Sequence, residues 1–225
     1  WKLDSNPVVG EGVNRDHFMQ LALLNIDAMV CDSTSALIHG NSVSESACES
    51  GLYHYINSAP KRVVVTCFAS NIARLITLAR VAQRTGRRMA VFGRSLVNMI
   101  GIARRTGYWP EDCIIIDRRH VGYLPEEEVL VVATGSQGEP RAALGQLAKD
   151  NHRDLSLSAK DTVIFSTITI PGNEKPIEQL VKALSSRHIQ VVQAHDAVLP
   201  IHASGHPNEQ ELKSIKYFAV SPTSS

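Results

Sequence analysis

The first feature that the sequence lacks is a long apolar run, and its absence excludes a protein that spans a membrane with helices. In its 225 residues, no apolar run approaches the roughly 20 residues that a membrane helix needs. The first residues, Trp1 to Asp4, supply neither the basic segment nor the apolar core of a signal peptide, and they include no initiator Met. A hydrophobic content of 44% with 20% charged residues is that of a globular chain. We therefore expect an internal piece of a longer soluble protein, with room for one substantial α/β domain or for one domain plus part of another.

The sequence also lacks paired cysteines and the common nucleotide-binding motifs. None of Cys31, Cys48, Cys67 and Cys113 belongs to a C-x-x-C pair, whereas a thiolate zinc site would need paired ligands at short spacing. Buried free thiols in a reducing cytoplasm are the favoured interpretation. There is no G-x-G-x-x-G and no G-x-x-x-x-G-K-[ST], so neither a dinucleotide site nor a Walker-type phosphate site is indicated.

Acidic residues are missing from one long stretch. None lies between Glu49 and Glu111, although the stretch contains ten positively charged side chains. These residues, which we call the basic block, are Lys61, Arg62, Arg74, Arg80, Arg84, Arg87, Arg88, Arg94, Arg104 and Arg105. Because a guanidinium group matches a phosphate bidentately, a block of one sign favours a polyanionic partner. Solvated helix surfaces are the alternative interpretation.

Short apolar runs alternate with helix-like segments along the chain. The predicted strands are residues 63–67, 89–92, 113–116, 129–133, 162–166 and 189–193. The predicted helices are residues 71–84, 96–105, 141–149 and 174–186, the first capped by Ser70 or Asn71. Strands that are apolar throughout are typical of a parallel sheet buried on both faces, and their alternation with helices predicts βαβ crossovers. The sequence therefore predicts an α/β fold with a Rossmann-like parallel sheet.

The loops after these strands form the expected ligand-binding edge, because ligands of open parallel sheets bind beyond the carboxyl ends of the strands. Four such loops, residues 68–71, 93–95, 134–140 and 167–174, are rich in Gly, Ser, Thr, Asn and Arg. These residues offer donors and exposed backbone N–H groups to phosphate oxygens. Each loop alone is a weak signal, since Gly and Ser are ordinary turn residues. Four loops on one edge, together with the basic block, favour phosphate binding.

Six ordered motifs carry a more specific signal. They are Cys-Asp-Ser-Thr at 31–34, Phe-Ala-Ser-Asn at 68–71, Phe-Gly-Arg-Ser at 92–95, Thr-Gly-Ser-Gln-Gly-Glu-Pro at 134–140, Ile-Pro-Gly-Asn-Glu at 170–174 and His-Ala-Ser-Gly-His at 202–206. In this order they resemble bacterial ribonuclease J, of the β-CASP branch of the metallo-β-lactamase superfamily. The resemblance runs from Trp1 to about Lys213, which is nearly the whole chain.

The resemblance implies a composite, metal-dependent ribonuclease. A β-CASP domain, here residues 42–193, is inserted into a metallo-β-lactamase αββα fold, of which residues 1–41 and 194–225 are partial flanks. The complete enzyme binds two divalent metals, usually zinc, with manganese or magnesium as alternatives, and RNA lies in the cleft between the domains. Family members degrade single-stranded RNA from a 5′-monophosphate end, and some also cut internally. The implied parent is a cytoplasmic exo- and endonuclease of RNA decay, with homo-oligomerisation left open.

The resemblance also assigns roles to individual residues. Asp32 matches the acidic residue that orients neighbouring groups of the catalytic site. His206 matches the histidine beside the scissile phosphate, where an imidazole stabilises charge or protonates the leaving oxygen. His202 and Ser204 match contacts to a phosphate of the RNA, and Gly205 allows close backbone approach.

Three loop residues complete the expected RNA contacts: Ser70, Arg94 and Ser136. Without the resemblance, an Asp ahead of Ser-Thr would be taken for a turn or cap residue. The remaining histidines show no ligand spacing, and we expect surface or structural roles for them.

The family's metal-ligand pattern is missing from this sequence. There is no H-x-H-x-D-H motif, and the bridging aspartate is expected just before Trp1 rather than at Asp4. After His206 a Pro-Val-His-Gly-like stretch is expected, but residues 217–225 have a different sequence, and residues are expected to be missing around Lys213. Since hydrolysis needs several ligands to bind the ions and activate water, we expect no metal site in this chain and no activity from it alone.

Two other hypotheses remain open at this point. In the first, the chain is a non-catalytic RNA-binding or assembly module, whose affinity would fall steeply with salt. In the second, it is an unrelated Rossmann-like enzyme that acts on a small phosphorylated metabolite. Titration with nucleotides against short RNA would separate the second hypothesis from the others.

Overall fold

A computed structural model describes residues 2–219 except 15, 18, 19, 21–23, 25, 26 and 29. The chain divides into two compact units. The larger unit is Ala47–His202, and the smaller one comprises the described residues up to Ser46 and from Ala203 onward. These divisions fall somewhat later than the predicted domain boundaries, which follow Asn41 and Gln193. Within the described part of the chain, no helix has the length and apolarity to cross a membrane.

The larger unit is built on a five-stranded sheet in which every pairing is parallel. Its strands are β1 (Val63–Thr66), β2 (Arg88–Phe92), β3 (Val129–Ala133), β4 (Thr162–Phe165) and β5 (Gln190–Gln193). They lie side by side in the order β2-β3-β1-β4-β5. Every residue of β1, β3 and β4 is buried, as expected for strands covered on both faces. The predicted α/β fold with a parallel sheet is confirmed.

Helices connect and cover the strands. In the larger unit they are α1 (Cys48–Ser58), α2 (Ile72–Arg84), α3 (Arg94–Arg105), α4 (Ala143–Ala148) and α5 (Glu174–Ser185), and α6 (Glu209–Ala219) lies in the smaller unit. Asn71 caps α2, since its side-chain oxygen accepts a hydrogen bond from the Arg74 N–H at 3.0 Å. The four predicted helices are confirmed with small shifts of their ends. The sequence did not predict α1 and α6.

The predicted strand at residues 113–116 is wrong. Its backbone makes a single hydrogen bond to the edge of the sheet, from the Ile116 N–H to the Met89 carbonyl at 2.9 Å. Cys113 closes a turn onto the Pro110 carbonyl, and the side chain of Ile114 is 63% exposed. A strand needs a ladder of such bonds. The apolar run therefore passes the edge of β2 without joining the sheet.

The expectation of buried thiols is confirmed for three of the four cysteines. Cys48, Cys67 and Cys113 are buried, and burial raises the pKa of the Cys113 thiol. The expectation is wrong for Cys31, which is free but exposed. Cys31 directly precedes the turn at Asp32, where the chain lies at the surface of the smaller unit.

Candidate functional site

The carboxyl edge of the sheet carries the loops that the sequence singled out. Ser70 follows β1, Arg94 follows β2 and Ser136 follows β3, and these three strands are neighbours in the sheet. Parallel strands end at a common edge, so these residues share it. Ser70 and Arg94 are exposed, whereas Ser136 is only 4% exposed.

Two glycines shape this edge through left-handed backbone and close contacts. At Gly93 (φ 132°), a Cβ would lie 2.9 Å from the Thr134 Cβ. At Gly138 (φ 79°), a Cβ would lie 2.6 Å from the Pro176 carbonyl carbon and 2.8 Å from the Ile177 nitrogen. Only glycine fits such positions. The loop after β3 therefore packs directly against the first turn of α5.

Gln137 fixes the loop after β4, a role that the sequence did not indicate. Its Nε2 donates to the Ile168 carbonyl at 3.0 Å, and its Oε1 accepts from the Ile170 N–H at 2.9 Å and from the Asn173 side chain at 3.2 Å. The side chain is 7% exposed. A buried amide that satisfies both its donor and its acceptor in one neighbouring loop fixes that loop's conformation.

A cavity of about 170 Å³ opens between the loops that follow β3, β4 and β5. Its lining is mixed, with hydroxyl and amide groups beside aliphatic and aromatic walls. The lining residues are Ser136, Phe165, Thr167, Ile168, Thr169, Ile177, Gln193, Ala194 and His195. A concave, partly apolar space with a few polar groups at a sheet's carboxyl edge has the character of a small-ligand site.

In the smaller unit, the structure brings Asp32 and His206 into contact although they are 174 positions apart. The His206 Nδ1 lies 2.5 Å from the Asp32 Oδ2. The other carboxylate oxygen accepts the Thr34 N–H at 2.8 Å. The hydrogen bond from His206, followed by that from Thr34, holds the pKa of Asp32 well below its ordinary value. The imidazole is therefore anchored at one nitrogen by an ionised carboxylate, and its side chain is 48% exposed.

Ser204 and Gly205 lie in the same turn as His206. The Ser204 Oγ accepts the His206 N–H at 3.0 Å, which fixes the turn. A Cβ at Gly205 would meet no atom of the described chain within 4 Å. Internal packing therefore does not demand glycine at this position.

His202, at the end of the larger unit, is partly buried. Its Nδ1 lies 3.4 Å from the Ser166 carbonyl oxygen, just past the end of β4. The predicted site residues thus occupy two sets: Asp32, Ser204, Gly205 and His206 in the smaller unit, and Ser70, Arg94, Ser136 and His202 in the larger one.

Two carboxylates of the smaller unit, those of Asp4 and Glu211, are occupied by hydrogen bonds within the fold. Both oxygens of Asp4 are taken, by the Ser44 hydroxyl at 2.7 Å and by the Glu45 N–H at 3.0 Å. Glu211 accepts four donors and is 3% exposed; burial raises its pKa, but these donors outweigh burial and lower it overall. Among the described residues, no group of three or more His, Cys, Asp or Glu side chains could hold a metal ion. No hydrolytic step is therefore assigned to these residues.

Half of the ten residues of the basic block are buried or paired with a carboxylate of the fold. Arg74 is fully buried and Arg87 is 6% exposed, and both donate to backbone carbonyls. Arg62 and Lys61 pair with Glu126, and Arg84 pairs with Glu49. Arg84 is exposed although it is paired, and the five remaining members are also exposed: Arg80, Arg88, Arg94, Arg104 and Arg105. Of these, Arg94 lies at the carboxyl edge, since β2 ends at Phe92 and α3 begins at Arg94.

Comparison with known proteins gives one consistent family. The family model described as "Ribonuclease J, beta-CASP domain" matches residues 60–184. Ribonuclease J of Sinorhizobium meliloti is 38% identical over 215 residues, which make up 96% of this chain and 38% of that protein. Ribonuclease J of Mycolicibacterium smegmatis is 37% identical over 212 residues (94% of this chain, 38% of that protein). Ribonuclease J2 of Bacillus subtilis is 32% identical over 214 residues (95% and 38%). The chain thus spans 38% of the length of these relatives.

Proposed function

The chain belongs to the ribonuclease J family, and on that premise we propose that it is the RNA-binding β-CASP portion of a metal-dependent ribonuclease. The parent is a 5′-to-3′ exonuclease and endonuclease of RNA processing and decay, located in the cytoplasm. The observation that carries the proposal is the contact between Asp32 and His206, two motif residues that the fold joins from opposite ends of the chain. Residues up to about Asn41 and from Ala194 onward belong to metallo-β-lactamase flanks.

The larger unit binds single-stranded RNA through the carboxyl edge of its sheet. Exposed Ser70 and Arg94 contact backbone phosphates, the latter bidentately through its guanidinium group. Ser136 and the cavity beside it take a phosphate or sugar. His202 contacts a further phosphate. The glycines of this edge leave backbone N–H groups near the ligand without a shielding side chain.

In the smaller unit, Asp32 orients His206 for its work at the scissile phosphate. A carboxylate bound at Nδ1 fixes the ring and its tautomer, and it leaves Nε2 to face the substrate. From that nitrogen, His206 stabilises charge on the phosphate or protonates the leaving oxygen. Ser204 contacts a phosphate, and Gly205 lets the backbone of the turn approach it.

The complete protein binds two divalent metals, zinc with manganese or magnesium as alternatives, and they supply the activated water. The described residues of this chain do not assemble their ligands. The chain alone therefore binds RNA without hydrolysing it. The substrate of the complete protein is RNA with a 5′-monophosphate.

The proposal is tested by fluorescence anisotropy with a short 5′-monophosphorylated single-stranded RNA across a series of salt concentrations. We expect the logarithm of the association constant to fall linearly with the logarithm of the salt concentration, with a slope of about −0.7 per phosphate contacted. Incubation with manganese or zinc should leave the RNA intact. Binding that does not change with ionic strength, or a stronger response to mononucleotides than to RNA, would overturn the proposal.

Asp32→Asn and Ser33→Ala form a matched pair for the smaller unit. We expect Asp32→Asn to weaken RNA binding by about threefold to tenfold, because the imidazole loses its ionic anchor. The neighbouring substitution removes a hydroxyl with no assigned contact and should leave binding unchanged. Equal effects of the two substitutions would remove the support for the role of His206.

A further inference from the structure

The side chain of Arg74 lies wholly inside the larger unit. It is fully buried although it carries a charge, and α2 presents it toward the end of β4. Its Nη1 donates to the Ser166 carbonyl at 3.1 Å and to the Ile201 carbonyl at 2.9 Å, and it also contacts the Ser166 Oγ. Its Nη2 lies 3.4 Å from the Cys48 Sγ. A buried guanidinium group therefore joins the end of β4 to the segment that ends at His202.

Ser166 strengthens the same connection. Its hydroxyl donates to the Ile201 carbonyl at 2.6 Å, and it is 1% exposed. The Ile201 carbonyl thus accepts from both Arg74 and Ser166. The carbonyl of Ser166 lies 3.4 Å from the Nδ1 of His202, the residue that follows Ile201. Arg74 therefore contacts both the residue that precedes His202 and the carbonyl group that faces the His202 ring.

Helix α1 supports this segment from a second side. A Cβ at Gly51 would collide with the Pro200 carbonyl oxygen, so the absence of a side chain lets the segment pack on the helix. One turn further along α1, the hydroxyl of Tyr55 accepts the Val198 N–H at 3.0 Å. The chain from Val198 to His202 is therefore held by hydrogen bonds and close packing although it is not in a regular element.

We propose that Arg74 is a positioning residue that, together with Ser166, fixes the backbone before His202 and so sets where the imidazole meets an RNA phosphate. This inference rests on the proposed function, which assigns the phosphate contact to His202. Burying a guanidinium group is unfavourable unless its donors find acceptors, and here Nη1 contacts two carbonyls and a hydroxyl while Nη2 contacts the Cys48 Sγ. Arg74 acts through His202 and does not touch RNA.

The larger unit contains a matched control at the opposite end of its sheet. Arg87 is also buried, and it donates to the carbonyls of Lys61 at 2.7 Å, Ala59 at 2.8 Å and Val129 at 3.2 Å. It makes the same kind of contact without leading to a predicted site residue. Thr66 provides a control for Ser166, because its buried hydroxyl donates to the Ala133 carbonyl at 2.9 Å.

The test is a double-mutant cycle on RNA affinity, with the full chain and a 5′-monophosphorylated single-stranded RNA. Ser166→Ala should weaken binding by roughly threefold to tenfold, and His202→Ala by at least as much. If Ser166 acts through His202, the Ser166→Ala substitution should have no further effect in the His202→Ala background. Thr66→Val should leave the affinity unchanged in both backgrounds.

Arg74→Met extends the cycle, with Arg87→Met as its control. Both should lower stability, but only Arg74→Met should weaken RNA binding, and this loss should vanish in the His202→Ala background. Arg74→Lys should recover part of the affinity, since an ammonium group can still donate to the two carbonyls but lacks the guanidinium fork. If Arg74→Met does not fold, the Ser166→Ala cycle decides the proposal.

Two failures are distinguishable. If the unmodified chain does not bind RNA, or His202→Ala leaves binding intact, the proposed function fails. If His202→Ala weakens binding but Ser166→Ala adds its full effect in that background, the proposed function stands and the positioning role of Arg74 is overturned.

Discussion

The two ends of the five-stranded sheet differ in how they use charge. At the amino end, Arg62 lies between Glu126 at 2.7 Å and the buried Asp161 at 3.4 Å, and Lys61 pairs with Glu126 at 2.9 Å. At the carboxyl end, glycine-rich loops surround a cavity, and Arg94 is exposed. The basic block is therefore engaged in ion pairs and backbone contacts at the amino end, whereas at the carboxyl end it contributes both the buried Arg74 and the exposed Arg94.

At the amino end, burial is unfavourable for the charged form of one carboxyl group. Burial raises the pKa of Asp161, although N–H donors from Ser158 at 2.8 Å and Arg62 at 3.2 Å favour its ionised form. At the edge of the same cluster, the Lys61 ammonium group holds the pKa of Glu126 below its ordinary value. Charges that are neutralised within a fold contribute little to attracting a polyanion.

The largest expected effect is a loss of stability caused by a substitution in the loop after β3, at the carboxyl end of the sheet. Gly138→Ala should lower the free energy of unfolding by about 3 kcal/mol or more, because its Cβ would overlap Pro176 and Ile177 and its φ is 79°. Gly172→Ala has a similarly positive φ of 97° but meets no described atom within 4 Å, so about 1 kcal/mol of strain is expected. Urea denaturation measures both. Equal losses would show that the loop after β3 does not pack against α5 as described.

The next effect tests the amino end. Arg87→Met should cost about 2–4 kcal/mol, because three carbonyl groups lose a buried donor. Its neighbour Arg88 is exposed, and Arg88→Met should stay within about 0.5 kcal/mol of the unmodified chain. RNA affinity of the folded Arg87→Met protein should be unchanged. A weaker affinity without unfolding would contradict the division between the two ends.

A smaller effect distinguishes the two ends of α3. Arg94 begins this helix at the carboxyl edge, and Arg105 ends it on the far side. Arg94→Gln should reduce the magnitude of the salt slope of RNA binding by about 0.7, the contribution of one phosphate contact, with stability unchanged. Arg105→Gln is the control and should leave the slope unaltered. Anisotropy titrations over salt measure both, and a slope lost only with Arg105→Gln would reverse the assignment.

The smallest expected effect is on the pKa of Asp32 and on its contribution to stability at acidic pH. Because the pKa of Asp32 is lowered on folding, its contribution to stability is present above its ordinary value of 3.8 and is lost as pH falls below that value. His206→Ala should raise the pKa of Asp32 toward 3.8, while the Thr34 N–H keeps it somewhat lowered. Carboxyl ¹³C titration by NMR measures this shift. Asp117, whose pKa is lowered by Arg119 in its own turn, should not respond; an unmoved Asp32 would rule out the contact with His206.

Much of the larger unit could be predicted from the sequence, because apolar strands such as Val129–Ala133 have a strong local signature. The segment at 113–116 has the same signature, yet its single backbone bond to β2 depends on the chain's path after Pro110. Helix α1 was not predicted, because its burial rests partly on Gly51 fitting against Pro200. Local pattern does not contain such distant contacts.

The candidate site shows the same limit. Arg74, Arg87 and Arg94 look equivalent in the sequence, and only the distant carbonyls that accept from the first two show them to be structural. Asp32 and His206 were each assigned to the catalytic site through the resemblance, and their contact was not predicted, since nothing local links residues 174 positions apart. The bridging role of Gln137 depends on four partners in another loop and had no signal in the sequence.

The most direct measurement is an NMR titration of the ¹⁵N-labelled chain with a short 5′-monophosphorylated single-stranded RNA. We predict that the backbone amides of Ser70, Arg94 and Ser136 shift with RNA concentration, while those of Arg62 and Arg88 at the amino end do not. Shifts confined to the amino end, or spread equally over both ends, would contradict the assignment of RNA binding to the carboxyl edge.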